Sequence, residues 1–191
     1  MNSNIAPDLS KIADRYRTLA ARFSDLVSAV PADAWGLASR CEGWSALDIV
    51  NHVVSTEADL LSRMPFAQSD GIDMADVLQA WPMVRDRVQA ALDNSEFAGH
   101  TYDGFFGPTT FSATVDQFYS FDLVVHTWDI AKATGMTAYE AIDPGEIATI
   151  NTAMAGLGDN LRMPGVLGPA LEVGPDADEQ TAFLAFLGRK A

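Results

Sequence analysis

Apolar residues recur at helical spacing along most of the chain. Ile12, Tyr16, Leu19, Phe23, Leu26 and Val30 fall on one stripe, which predicts a first helix capped by Asp8 or Ser10, running to about Val30 and stopped by Pro31. A loop with Trp35 and Cys41 follows. Ser45 then opens a second helix as N-cap, with Asp48 where a capping-box acid belongs. Leu47, Val50, Val54, Ala58 and Leu61 form its expected core face, and Pro65 lies just beyond its end. A third helix is expected over Met74 to Leu92, kinked or broken at Pro82. Gly99 to Thr110, rich in glycine and aromatics, reads as an ordered loop, with a short extended pair as one form of it. A fourth helix covers Ser112 to Thr134 and ends near Gly135. Pro144 to Asn160 predicts a fifth, Met163 to Pro175 a loop, and Asp178 to Leu187 a last short helix before Gly188. No repeat, low-complexity tract or clean boundary interrupts residues 1–191. The expected fold is therefore all-α: a single domain built as an up-and-down four-helix bundle with short C-terminal helices and loops.

The fourth helix holds the strongest hint of chemistry. Phe118, Phe121, Val125 and Trp128 lie on one flank, Tyr119, Leu123 and Ile130 on the other, and Asp116, Ser120 and Thr127 make a narrow polar stripe able to face water. Asp122, His126 and Asp129 lie opposite that stripe, between the apolar flanks. A charge directed into a core is costly unless something compensates it, and metal coordination is one such compensation. Histidine and carboxylate at i and i+4 point the same way, so Asp122 and His126 can bind one ion. A buried Asp–His pair that only satisfies itself explains the same pattern, and on this pair alone neither reading wins.

Composition narrows the classes. At 191 residues, 48% hydrophobic and 20% charged, the chain is globular and large enough to bury a real core. It has no apolar run long enough to span a membrane. Met1 to Pro7 lacks a basic stretch leading into an apolar one, so no secretory signal is expected. The one cysteine, Cys41, cannot form an internal disulfide, which fits a cytoplasmic location. A formal charge of −14 argues against nucleic acid and against anionic membrane as partners.

Cys41-Glu42-Gly43-Trp44-Ser45, then Asp48 and His52, and later Asp122 through His126 to Asp129, resemble the actinobacterial branch of the DinB-like metalloprotein superfamily. The resemblance is to the metal-binding domain of mycothiol-dependent maleylpyruvate isomerase. Gly168-Pro169 through Asp176-Ala177-Asp178, and Phe186-Leu187-Gly188-Arg189, also have the look of that branch. The resemblance implies a four-helix bundle with a divalent metal at one end, held by one side chain from the second helix and two from the fourth. Those positions are His52, Asp122 and His126. Many superfamily members have histidine where this chain has Asp122; aspartate is an ordinary ligand but adds a negative charge and lowers Lewis acidity. The full isomerase has a further C-terminal domain for which this chain is expected to be too short, which leaves the exact isomerisation open.

The remaining polar residues divide between roles. Periodicity puts His52 just off its core arc, beside Asp48, Ser55 and Asp59, so its place as a ligand comes from the resemblance. His100 reads as a surface histidine, Cys41 as a partly buried inert thiol, and Trp44, Trp81 and Trp128 as core. Asp129, one turn beyond His126, is placed either to orient a ligand imidazole or to pair with an arginine, and Asp48 is a further candidate for support behind the ligands. The implied cofactor is a divalent metal, zinc foremost, with nickel, iron or manganese as alternatives. The resemblance makes mycothiol the thiol cosubstrate, with an unidentified electrophile as its partner. The expected activity is a metal-dependent thiol S-transferase or isomerase; metal-dependent hydrolysis and a non-catalytic metal or small-molecule binding domain remain as rivals. The apolar third helix leaves room for a homodimer.

Overall fold

The computed structural model describes residues 8–67, 71–158, 162 and 167–191. Four long helices make the bundle: α1 (Leu9–Ala29), α2 (Ala46–Ser62), α3 (Val77–Asp93) and α6 (Ser120–Thr134). α1 and α2 each pack against both α3 and α6, so the four close into a ring around one core. Between α3 and α6 lie a short α4 (Ser95–Ala98), an antiparallel hairpin of β1 (Thr101–Gly104) and β2 (Gly107–Thr110), and α5 (Phe111–Thr114). After α6 come α7 (Pro144–Ala155) and α8 (Glu179–Phe186). The fold is all-α apart from the hairpin, as the periodicity predicts.

Local chemistry explains the helix boundaries. The stripe from Ile12 to Val30 is buried throughout, and burying such a stripe supplies most of a helix's stability. Ser45 accepts a hydrogen bond from Asp48 N, and the Asp48 carboxylate accepts from Ser45 N, forming the expected capping box. The third helix starts at Val77, later than Met74, because the Asp76 carboxylate caps the amides of Leu78 and Gln79. Pro82 lies inside α3 without ending it. α7 ends at Ala155; the end expected for it, Asn160, lies outside the described residues, as does 163–166 of the expected C-terminal loop.

Two expectations about helix faces need correction. Leu47 is exposed, and the core face of α2 runs instead through Ala46, Ile49, Val50, Val53, Val54, Glu57, Leu60 and Leu61. The fourth helix is also not continuous. Val115–Tyr119 form a π-helical turn between α5 and α6, which offsets the face presented before the turn from the face after it. Arg15 donates to the Asp116 carbonyl and carboxylate (2.9 and 2.6 Å) and also holds Glu146, binding α1 to the π-turn and to α7. The predicted polar stripe meets water only at Asp116: Ser120 and Thr127 are buried, and Asp116 is half-buried and engaged by Arg15. Thr127 tolerates this because its hydroxyl donates to the Leu123 carbonyl. Every residue from Leu123 to Ala131 is buried, so this stretch of α6 is enclosed on all sides.

Candidate metal centre

His52 comes from α2, Asp122 and His126 from α6, and their side chains meet where those two helices pack. The His52 Nε2 lies 3.3 Å from Asp122 Oδ2, and the His126 Nε2 lies 3.8 Å from Asp122 Oδ1. The two imidazole rings are 5.3 Å apart, nearly perpendicular. One donor atom from each of the three residues lies within 4.8 Å of the other two. Two imidazole nitrogens and a carboxylate oxygen, converging with both Nε2 atoms toward Asp122, are a donor set that suits a divalent transition metal. His52 and Asp122 are partly exposed and His126 is buried, so one side of the cluster opens to solvent.

Trp44 marks that open side. Its ring centroid lies 5.0 Å from that of His52 and 6.4 Å from that of His126, and it is 37% exposed. The expectation that Trp44 is core is therefore overturned, whereas Trp81 and Trp128 are buried as expected. Its place follows from the capping box: the residue before a helix N-cap stands outside the helix, at the end of the bundle.

Behind His126 the environment is closed. Asp129, fully buried, lies 3.0 Å through Oδ2 from His126 Nδ1, and Arg189 donates to both of its carboxylate oxygens at 2.8–3.0 Å. Asp129 thus touches both the His126 imidazole and an arginine. Burial works to raise the Asp129 pKa, but the His126 hydrogen bond and the Arg189 charge outweigh it and hold the carboxyl below its ordinary value. Cys41 completes the group, its Sγ 3.3 Å from Asp129 Oδ2 and 3.3 Å from an Arg189 nitrogen. Burial first, then the Asp129 charge, push the Cys41 thiol up to about 12, so it stays protonated and unreactive at neutral pH. Cys41, His126 and Asp129 also cluster closely enough to ligate, but the Arg189 guanidinium between Cys41 and Asp129 opposes a second cation there.

Asp48 and His100 stand elsewhere. The Asp48 carboxylate is exposed and engaged by Ser45, so it supports the helix bearing His52 through its cap. His100 packs its ring edge-on against Phe66, in the turn between α4 and β1.

Two further ionisable residues, one buried and one mostly so, were given no role by the sequence reading. Arg189 sits near the chain's end, far in sequence from the site. Glu57 is 1% exposed on α2; Tyr16 donates to its Oε2 (2.8 Å), and its Oε1 has no hydrogen-bond partner among the described residues. Burial, with a contribution from the Asp122 charge, raises the Glu57 carboxyl to about 8 despite the opposing Tyr16 bond. Glu57 had a legible signal, since it follows Val50, Val53 and Val54 at helical spacing on an otherwise apolar face.

Residues 16–92 match the family model described as the mycothiol maleylpyruvate isomerase N-terminal domain. The match supports the resemblance to the mycothiol maleylpyruvate isomerase branch of the DinB-like superfamily. The matched segment runs from within α1 to the end of α3, and includes Cys41, Trp44, His52 and Glu57. Asp122, His126, Asp129 and Arg189 lie beyond it, brought to His52 by the packing of α6 and the C-terminal segment. No curated protein and no solved structure matches the chain. The DinB-like bundle is thus supported both by the matched segment and by the helical architecture. No helix among the described residues is long and apolar enough to cross a membrane.

Proposed function

We propose that this chain is a metal-dependent thiol S-transferase or isomerase, with His52, Asp122 and His126 holding a divalent ion and mycothiol, or a similar low-molecular-weight thiol, as cosubstrate. The observation that carries the reading is the approach of one donor atom from each of these residues to within 4.8 Å of the others, at the partly open end of a DinB-like bundle. Zinc is the leading candidate, since two imidazoles and a carboxylate leave a coordination position for a substrate. When bound, such an ion supplies Lewis acidity that lowers the pKa of a thiol or a water. The residues of the chain do the rest. Asp129 holds a proton on His126 Nδ1, leaving Nε2 free to ligate. Trp44 shields the exposed edge of the two imidazoles and offers an aromatic face to an incoming substrate. The Cys41 thiol, protonated and engaged, does not compete as nucleophile. The incoming thiol gives its S–H proton to solvent through the open side, and its sulfur adds to one carbon of an activated double bond whose displaced π pair takes up a proton from solvent.

The test is His126→Ala, compared with the parent for zinc content after purification without a tag and for thiol conjugation to a panel of electrophiles. The variant should lose both zinc and conjugation while its helical circular dichroism is kept, because packing supplies most of the bundle's stability. Full conjugation by the variant would dismiss the metal mechanism. Zinc retention by the parent without conjugation of any thiol would favour the non-catalytic binding domain instead.

A further inference from the structure

The last ordered turn of the chain has an unusual destination. Helix α8 ends at Phe186, and Leu187 is its C-cap. Gly188 takes a left-handed conformation (φ +81°), its amide donates to Ala185 O, and the Arg189 amide donates to Leu184 O. That pair of bonds is the Schellman ending of a helix, which favours glycine at this position. A Cβ on Gly188 would also meet the Pro169 carbonyl at 3.0 Å. Leu184 and Leu187 are buried beneath the turn, anchoring it. The turn reverses the chain and sends the Arg189 side chain inward. Its Nε and Nη2 grip the Asp129 carboxylate, Nη1 donates to the Leu187 carbonyl, and Nη2 reaches Cys41 Sγ.

We propose that Arg189 is a positioning residue for His126: by clamping Asp129 it fixes the His126 imidazole with its proton on Nδ1 and its Nε2 lone pair toward Asp122 and His52. The inference rests on the metal reading for its purpose, but the contacts that carry it are made among the chain's own side chains. Asp129 has two oxygens, and its Oδ2 serves His126, Cys41 and Arg189 together. With the guanidinium fork in place the carboxylate cannot rotate without breaking its contacts to both Arg189 nitrogens. Without the fork, a buried carboxylate is free to turn toward the Cys41 thiol or to solvent, and the imidazole loses the acceptor that selects its tautomer. An arginine suits this task better than a lysine, because the planar fork fixes both oxygens while an ammonium supplies charge alone.

The experiment compares the full chain with Arg189→Gln and Arg189→Lys. The His126 tautomer is read by nitrogen-15 NMR of the metal-free proteins in alkaline buffer, and Zn2+ affinity by competition with a chromophoric chelator. The parent should show the Nδ1-protonated tautomer for His126. Arg189→Gln should shift it toward the Nε2-protonated form and weaken Zn2+ binding about 10- to 100-fold, the usual cost of losing support behind a ligand histidine. Arg189→Lys should fall between the two. An unchanged tautomer with Zn2+ affinity within twofold of the parent, in a folded Arg189→Gln, overturns the proposal. So does unfolding of both variants, which would make Arg189 a packing residue. A parent that binds no Zn2+, with the tautomer shift still seen in Arg189→Gln, would sink the metal reading while leaving the positioning role intact.

Discussion

Two buried carboxylates in this bundle meet opposite fates. Asp129 and Glu57 are both almost completely shielded from water, one on α6 and the other on α2. Asp129 is surrounded by Arg189, His126 and Cys41, and it stays ionised below the ordinary carboxylate range. Glu57 has one hydroxyl partner, an unpartnered second oxygen and the negative charge of Asp122 for a neighbour, and its pKa rises to about 8. Burial is common to both; the partners decide the charge. One carboxylate is therefore built to hold a neighbour in place, while the other stays neutral through most of the physiological range.

The contrast breaks most visibly at Asp129. Asp129→Asn keeps the shape but leaves the Arg189 guanidinium buried without an anion, so urea unfolding of the metal-free protein should show a loss of about 3–5 kcal/mol. A loss below about 1 kcal/mol would show that water already reaches the pair. The pH sign follows from its lowered pKa. Its stabilising contribution is present above the ordinary value of 3.8 and is lost as the pH falls through the native value.

Glu57 should behave in the reverse sense. Its native pKa of about 8 stands above the ordinary value of 4.5, so between those values the folded state binds the extra proton and stability falls as pH rises. Replacing it by Glu57→Gln removes that slope. Across the window the variant should gain on the parent by on the order of 5 kcal/mol at most, whatever the fixed cost of the buried amide. Parallel stability curves for the two proteins would mean that Glu57 is hydrated in solution.

The smallest effect sharpens the comparison. Tyr16→Phe removes the hydroxyl that donates to Glu57 Oε2, and should cost about 1 kcal/mol at neutral pH. Because that bond favours the ionised acid, its loss should also move the Glu57 transition to the alkaline side. A shift to the acid side would mean that the hydroxyl is an acceptor for a protonated Glu57.

Much of this was legible along the chain, for a physical reason. Helix formation depends on local spacing and caps, so the stripe of α1, the Ser45–Asp48 box and the glycine stops could be read from neighbours in sequence. The Asp122–His126 pair was visible because i and i+4 share a face whatever the tertiary fold. Glu57 obeyed the same rule on α2, since an acid on an apolar face announces its own burial.

What the tertiary structure alone decided depends on contacts between distant segments. Packing around α6 buried Ser120 and Thr127 of the expected polar stripe, and Arg15 of α1 reached Asp116 beside the π-turn at Val115–Tyr119. His52 was carried to Asp122 across 70 residues of sequence by the packing of α2 on α6. Asp129 found its arginine 60 residues away, because the Schellman turn at Gly188 directs Arg189 back into the bundle. The sequence by itself determined which residues bore charge toward the interior. Only the assembled bundle determined which of those charges found a partner, because an ion pair requires an approach of a few ångströms that no local spacing can specify.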